Sequence, residues 1–427
     1  MPDGRATAHL FRPKLITVLT EGRYDATAFR SDALAALTVA IVALPLSMAI
    51  AVASGVSPER GLYTSVIGGF LVSALGGSRY QIGGPAGAFI VLVAATTQKF
   101  GLDGLLLTVM MSGVMLTLVG LSRLGMLIRH IPHAVTVGFT CGIAVTIFSS
   151  EIRDLFGLHL TEAEPGLLIP KLVALGGAFS TLTPAAVFLG LGSAALIFLL
   201  RSWRPNWPGM LIAVILASLI AVLFQLPAET IGSRFGDIPR TLPSPHVPDY
   251  SWPFVLELVP SALSFTLLGG IESLLSAKVA DSMSKRKHRS NMELVAQGLA
   301  NIASGFFGGI SVTGTIARTA TNIRAGARSP LAGMMHALFV LMFMVVAAPL
   351  ARFIPLSALA GVLLVVCWNM AEKAEFALLL HRWPTAAVLL ATFGLTLVKD
   401  LTFGIVAGCI IAAALAVIRR AIPREGQ

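Results

Sequence analysis

The stretch GGISVTGTIARTATNIRAGARSP, Gly308 to Pro330, interrupts an otherwise apolar chain. Small polar residues replace the bulky aliphatic ones on either side, and one arginine, Arg318, stands alone among them. Lipid offers no water to satisfy a polar backbone or a charge. Such a break survives only where it is buried in protein or lines a cavity, and a charge inside a membrane segment is functional by default. The stretch therefore predicts a broken transmembrane segment with a site at the break.

The rest of the chain supports that setting. Of 427 residues, 56% are hydrophobic and only 12% are charged, with a mean hydropathy of +0.83. A soluble domain carries about 25% charged residues. The apolar runs predict an all-α membrane protein of about fourteen segments, several long enough to cross a bilayer as a helix. Three are short: 61–75, 84–97 and 315–325. A stretch over 166–182 reads as an interfacial helix. No early apolar core follows the basic N-terminus, so no cleavable signal peptide is expected. Most of the 31 lysines and arginines fall in the N-terminal arm and in alternate loops, which places both termini in the cytoplasm. They form no single patch, which argues against nucleic acid despite the net charge of +10. Cys141, Cys367 and Cys409 lie within apolar runs and show neither metal nor disulfide spacing. No zinc motif or Ser–His pairing indicates an enzyme, and no cofactor is expected.

A second break resembles the first. QIGGPAGAF, Gln81 to Phe89, follows a long apolar run near 33–54 as SVTGTIARTA, Ser311 to Ala320, follows one near 254–280. Seven segments separate corresponding elements, and an odd number turns the second half upside down in the membrane. The predicted organisation is an N-terminal arm (1–30), a seven-span repeat (31–226), an extracellular connector (227–252), an inverted seven-span repeat (253–420) and a tail (421–427). Matched interruptions in two such halves point to a transporter site at the repeat interface.

The chemistry follows from the breaks. Pro85 is suited to the first turn of a helix, and Ser311, Thr313 and Thr315 are candidate N-caps for the other. Two half-helices starting near mid-membrane would face each other with unpaired N–H groups and partial positive charge, which attracts anions. Arg318 lies one turn inside the second. Glu272, in FTLLGGIESLLSAKVADSM, sits mid-span with Ser276 a turn later on the same face. Glu272 reads either as a group that exchanges a proton as an anion comes and goes, or as the permanent ion-pair partner of Arg318. Ser276 is placed to hydrogen-bond its carboxyl. Pro45 should kink the first span and turn Leu46, Ser47 and Met48 towards the cavity.

ALTVAIVALPLSMAIAVASGVSPERGLYTSVIGGF, QIGGPAGAF, ETIGSRFGDIP, HRSNMELVAQGLANIASGFFGGISVTGTIARTATNIRAGARSPLAG and LLVVCWNMAE together resemble the sulfate permease (SulP, solute carrier 26) family over roughly residues 30–420. The resemblance implies two inverted repeats of seven spans, core and gate domains, short broken third and tenth spans, and an elevator-like alternation. It implies anion substrates: sulfate, bicarbonate, chloride or dicarboxylates. By motif, the anion site maps to Ala86, Gly87 and Ala88, to Thr315, Ile316, Ala317 and Arg318, and to Leu46 and Ser47. The coupling position maps to Glu272, with Ser276 beside it. A glutamate there resembles the proton-coupled members, and Ile316 where sodium-coupled members carry a hydroxyl argues against a sodium site; no other metal site is expected. Expected partners are the anion, a proton, membrane lipid and a second copy in a homodimer. Family members usually continue into a cytoplasmic STAS domain. This sequence ends at RRAIPREGQ, so the regulation and dimer contacts of that domain are not carried over. Proton-coupled symport is the expectation, with an anion exchanger or channel, and a nucleobase permease of the same fold, as alternatives.

Overall fold

The apolar runs become helices because each helix satisfies its own backbone, as a lipid environment demands. The computed structural model describes residues 11–421 except 21–23, 126–131, 162–163, 166–167, 206 and 400. Much of the N-terminal arm and the tail from 422 lie outside the described residues. The first half contains α1 (Lys14–Thr20), α2 (Ala26–Ala53), α3 (Pro58–Tyr63), a π-helical turn (Thr64–Gly68), α4 (Gly69–Leu75), strand β1 (Gly83–Gly84), α5 (Ile90–Leu121), α6 (His133–Phe156), α7 (Leu168–Gly177), α8 (Pro184–Trp203) and α9 (Gly209–Leu223). After the short connector helix α10 (Ile231–Phe235) come α11 (Trp252–Ser284), α12 (Ser290–Phe306), strand β2 (Thr313–Gly314), α13 (Ile316–Arg324), α14 (Leu331–Ala351), α15 (Leu356–Met370), α16 (Lys373–Leu380), α17 (Trp383–Val398) and α18 (Leu401–Ala421).

Among the described residues, six helices are long and apolar enough to cross a membrane alone: Ala26–Ala53, Gly87–Leu121, His133–Phe156, Pro184–Trp203, Trp252–Ser284 and Leu331–Ala351. Gly209–Leu223, Trp383–Val398 and Phe403–Leu415 are apolar but shorter. The run 61–75 is not an isolated short helix. It continues α3 through the π turn into α4. The expected third and fourth segments are nearly continuous, divided at Gly101, whose φ of 70° and ψ of −174° lie outside the helical region and suit a residue without a Cβ. Helix α2 runs unbroken through Pro45.

The helices pack as two bundles. In one, α5 lies along α12 and α11, while α2 lies along α14 and α13. In the other, α6, α8, α15, α17 and α18 pack together, with α9 against α8. The bundles meet mainly where α2 touches α15 and α9. The first bundle contains both breaks. Helix α12 is unusual in burying a polar row, Asn291, Glu293, Gln297, Asn301 and Ser304. Within α2, Asp32 accepts from the N–H groups of Arg328 (2.6 Å) and Ser329 (3.2 Å), which fixes the far end of the opening stretch.

Candidate functional site

The two breaks meet. β1 and β2 pair antiparallel, with Gly83 opposite Gly314 and Gly84 opposite Thr313. Each strand has only two residues, so the surrounding side chains satisfy the remaining buried backbone groups. On one strand, the Asn301 amide accepts from the Val312 N–H at 3.0 Å and donates to the Val312 carbonyl at 2.7 Å. The Thr64 hydroxyl, in the π turn, accepts from the Ile310 N–H at 2.8 Å. On the other strand, Thr319 accepts from the Ile82 N–H at 3.1 Å, Thr315 N–H donates to the Ile82 carbonyl at 3.0 Å, and Asn322 donates to the Tyr80 carbonyl at 2.9 Å. The half-helix of the second break therefore holds the backbone of the first.

A helical segment starts from each strand. The first does not start at Pro85. Pro85 and Ala86 remain extended, and a 3-10 turn begins at Gly87 and leads into α5, because Gly84 is still engaged in the ladder. The second begins at Ile316, with Thr315 in the cap position but with no side-chain capping bond. Its hydroxyl faces the Ile82 carbonyl instead, and Ser311 and Thr313 belong to the extended approach. Among the described residues, the N–H groups of Gly87, Ala88, Ile316 and Ala317 have no acceptor in the protein. Ala86, Ala88 and Thr315 are buried and Gly87 is half-buried, whereas Ile316 and Ala317 are exposed. Helix α13 thus opens onto accessible space at its start.

Arg318 is only 2% exposed. Its guanidinium donates to Ser65 at 3.1 Å and to Ser47 at 3.0 Å, and approaches the Pro85 carbonyl at 3.5 Å. Ser47 and Ser65 are themselves 2.8 Å apart. Leu46, beside Ser47, is 7% exposed. Neither Arg318 nor Glu272 forms an ion pair among the described residues, so the permanent Glu272–Arg318 bridge is absent. Ser276 is turned away from Glu272: it donates to Thr319 at 3.3 Å, because the Thr319 hydroxyl is already fixed by Ile82. Glu272 is half-buried and has no hydrogen-bond donor among the described residues. A bare cation held by two hydroxyls and a carbonyl carries a desolvation cost of several kcal/mol unless a counter-charge arrives.

The profile of the Sulfate permease family matches residues 29–393. The chain belongs to that family. It is 44% identical over 394 residues to "Putative sulfate transporter YvdB" of Bacillus subtilis, covering 91% of this chain and 74% of that one. It is 31% identical over 407 residues to the bicarbonate transporter BicA of Picosynechococcus, covering 91% and 70%. The solved transmembrane domain of a cyanobacterial BicA superposes with a TM-score of 0.79 at 28% identity, covering 91% of this chain and 98% of that one. The murine Solute Carrier 26 family member A9 anion transporter shares the fold, with a TM-score of 0.88 at 18% identity, covering 98% of this chain and 73% of that one. This sulfate permease family member is a multi-pass membrane protein of an anion-transporter family, not an enzyme.

Sequence reasoning placed Ser47, Ala86–Ala88 and Thr315–Arg318 together, and the fold of this family member does bring them together. It missed Ser65, Gln81, Asn301, Thr319 and Asn322. Ser65 lies in LYTSVIGG, whose small polar residues mark a break, but the π turn that aims Ser65 at Arg318 has no linear signature. Gln81 donates to the Ser273 hydroxyl at 3.1 Å and to its carbonyl at 3.2 Å, tying the first break to the helix that carries Glu272.

Proposed function

We propose that this chain is a secondary active transporter that carries a small oxyanion or dicarboxylate, of the sulfate and bicarbonate class, with a proton across a bacterial inner membrane. The anion binds between the starts of α5 and α13, at Ala86–Ala88 and Thr315–Arg318, with Leu46 and Ser47 on a third side. The observation that carries this reading is Arg318, a buried guanidinium whose hydrogen-bond partners are hydroxyls and a carbonyl, with no carboxylate among the described residues to neutralise it. Two helix starts with unpaired N–H groups point the same way. The names of the relatives, which specify sulfate and bicarbonate, support the substrate class.

Glu272 supplies the coupling. Ionised, it opposes the attraction that Arg318 offers an anion; protonated, it does not. Anion and proton therefore load together. Among the described residues no donor holds the Glu272 carboxylate in its charged form, which leaves it free to take up a proton. The bundle containing both breaks moves against the other in an elevator-like step. The two halves, 31–226 and 253–420, are inverted repeats joined by the extracellular connector 227–252, and both termini are cytoplasmic. The antiparallel pairing of the breaks supports the inversion.

The test is uptake into proteoliposomes from a panel of labelled anions, in sodium-free buffer, with an inward proton gradient imposed or absent. Wild type should accumulate anion only with the gradient. Glu272→Gln should still bind the anion and exchange it but make no use of the gradient. Unchanged proton-driven accumulation by the variant removes Glu272 from the mechanism. Strict dependence on sodium in the wild type refutes proton coupling.

A further inference from the structure

A second cluster of charge lies in the other bundle, where α6 ends and α8 and α15 begin. A cavity of about 120 Å³ is lined there by Arg153, Asp154, His159, Thr183, Glu229 and Ser357, among others. Its two carboxylates are already engaged. Arg234 donates to both oxygens of Asp154, at 2.9 and 2.7 Å, and to the Glu229 carboxylate at 2.9 Å through Nε. Its Nη2 contacts the other Glu229 oxygen as well. Arg153 is left over. Its side chain makes no hydrogen bond or ion pair among the described residues, although its charge acts on the Glu229 carboxylate, and its Nε is closed off from solvent without an acceptor.

The start of α15 supplies two more donors. Helix α15 has 15 residues, enough to develop an end charge. The Leu356 N–H is taken by the Glu229 carbonyl at 2.9 Å, but the Ser357 N–H has no backbone acceptor outside the helix. Ser357 is 3% exposed, and its Oγ has no partner among the described residues. A buried hydroxyl that lines a cavity and bonds to nothing is rare enough to need a ligand or water as its explanation. Arg153 and Arg234 offset Asp154 and Glu229, and Glu151, buried one turn before Asp154 and outside the cavity lining, adds its carboxyl to the same cluster. The positive end of α15 then tips the cavity towards anions, and the unused groups, Arg153 and Ser357, can both donate.

We propose that this cavity is a second anion site, for a small inorganic oxyanion or halide, separate from the pairing of β1 and β2. The bound anion joins the end of α6, the start of α15 and, through Glu229 and Arg234, the connector. Its occupancy would brace one end of the bundle that holds still in the elevator reading. The binding claim does not depend on that reading.

The test is thermal unfolding of purified protein in detergent, titrated with sulfate and separately with chloride, against gluconate at matched ionic strength and pH. Arg318→Ala is the background, so that any anion site at the strand pairing is silenced. The proposal expects this variant to retain an anion-dependent rise in melting temperature. Adding Ser357→Ala or Arg153→Gln should raise the half-effective anion concentration about tenfold or more, as loss of a charge-assisted hydrogen bond does. Ser357→Asp, which places a carboxylate in the cavity, should abolish the anion response while leaving the protein monodisperse. The proposal is overturned if Arg318→Ala shows no anion-dependent shift, or if Ser357→Asp leaves that shift intact. If instead Arg318→Ala retains the full wild-type response and the cavity variants remove all of it, the second site stands and the assignment at Arg318 falls.

Discussion

Arg318 donates to Ser47 and Ser65 with separate nitrogens. That fork is a property of guanidinium and not of a lysine ammonium, which is a compact point charge. Arg318→Ala should leave the protein folded, because no carboxylate is orphaned, and should weaken anion binding by roughly tenfold to a hundredfold. Equilibrium binding of labelled sulfate or bicarbonate to monodisperse protein measures it, and wild-type affinity would sink the assignment. A different residue-scale prediction concerns the connector. Hydrogen bonds from Arg234 hold the Glu229 carboxyl below its ordinary value. A carboxyl depressed in the folded state contributes stability above its unfolded pKa, about 4.3, and that contribution is lost as the pH falls through the folded value. Acidification below about pH 4 should therefore lower the melting temperature of wild type more than that of Glu229→Gln. Equal acid sensitivity would show that the Arg234 clamp contributes nothing to stability.

At the scale of elements, the paired breaks depend on glycine for closeness. A Cβ on Gly84 would collide with Nη1 of Arg318. Gly84→Ala should therefore displace the guanidinium and lose anion binding with little loss of helix content. Gly192→Ala, whose added methyl meets nothing within 4 Å, serves as the control. Circular dichroism and the same binding measurement separate the two, and normal binding by Gly84→Ala would mean that the guanidinium does not need its observed position. The sequence showed that GGPAG and SVTGT are breaks, because glycine, proline and small polar residues cannot continue an apolar helix. It could not show that Asn301 and Thr64 would stand in for missing strand partners. An asparagine inside LVAQGLANIASG reads equally well as a packing residue until its amide is seen against Val312.

The whole molecule has two bundles with an apolar groove between them. That groove, about 370 Å³, is lined by Leu44, Pro45 and Met48 of α2, Val214 and Ile215 of α9, and Phe343 and Met344 of α14. Apolar side chains impose no directional bonds, so such a contact can slide at low cost in a way that a hydrogen-bonded interface cannot. If transport requires one bundle to move against the other, a short bifunctional crosslink between Met48→Cys and Val214→Cys should arrest uptake and leave anion binding intact. Undiminished uptake by the fully crosslinked protein would exclude relative movement at this groove.

Composition and periodicity alone determined the membrane setting, the helical class and the two breaks, because a lipid solvent leaves a chain few ways to satisfy its backbone. The isolated charges Arg318 and Glu272 were visible for the same reason, since a charge in an apolar run is costly wherever it ends up. Only the tertiary structure decided the partners. Arg318 meets Ser47, 271 residues away, and Ser65, 253 residues away, while Ser276 turns to Thr319 and leaves Glu272 without a partner among the described residues. A hydrogen bond depends on where a side chain points to within a fraction of an ångström. That is set by how helices from both halves pack, which no local pattern in the chain records.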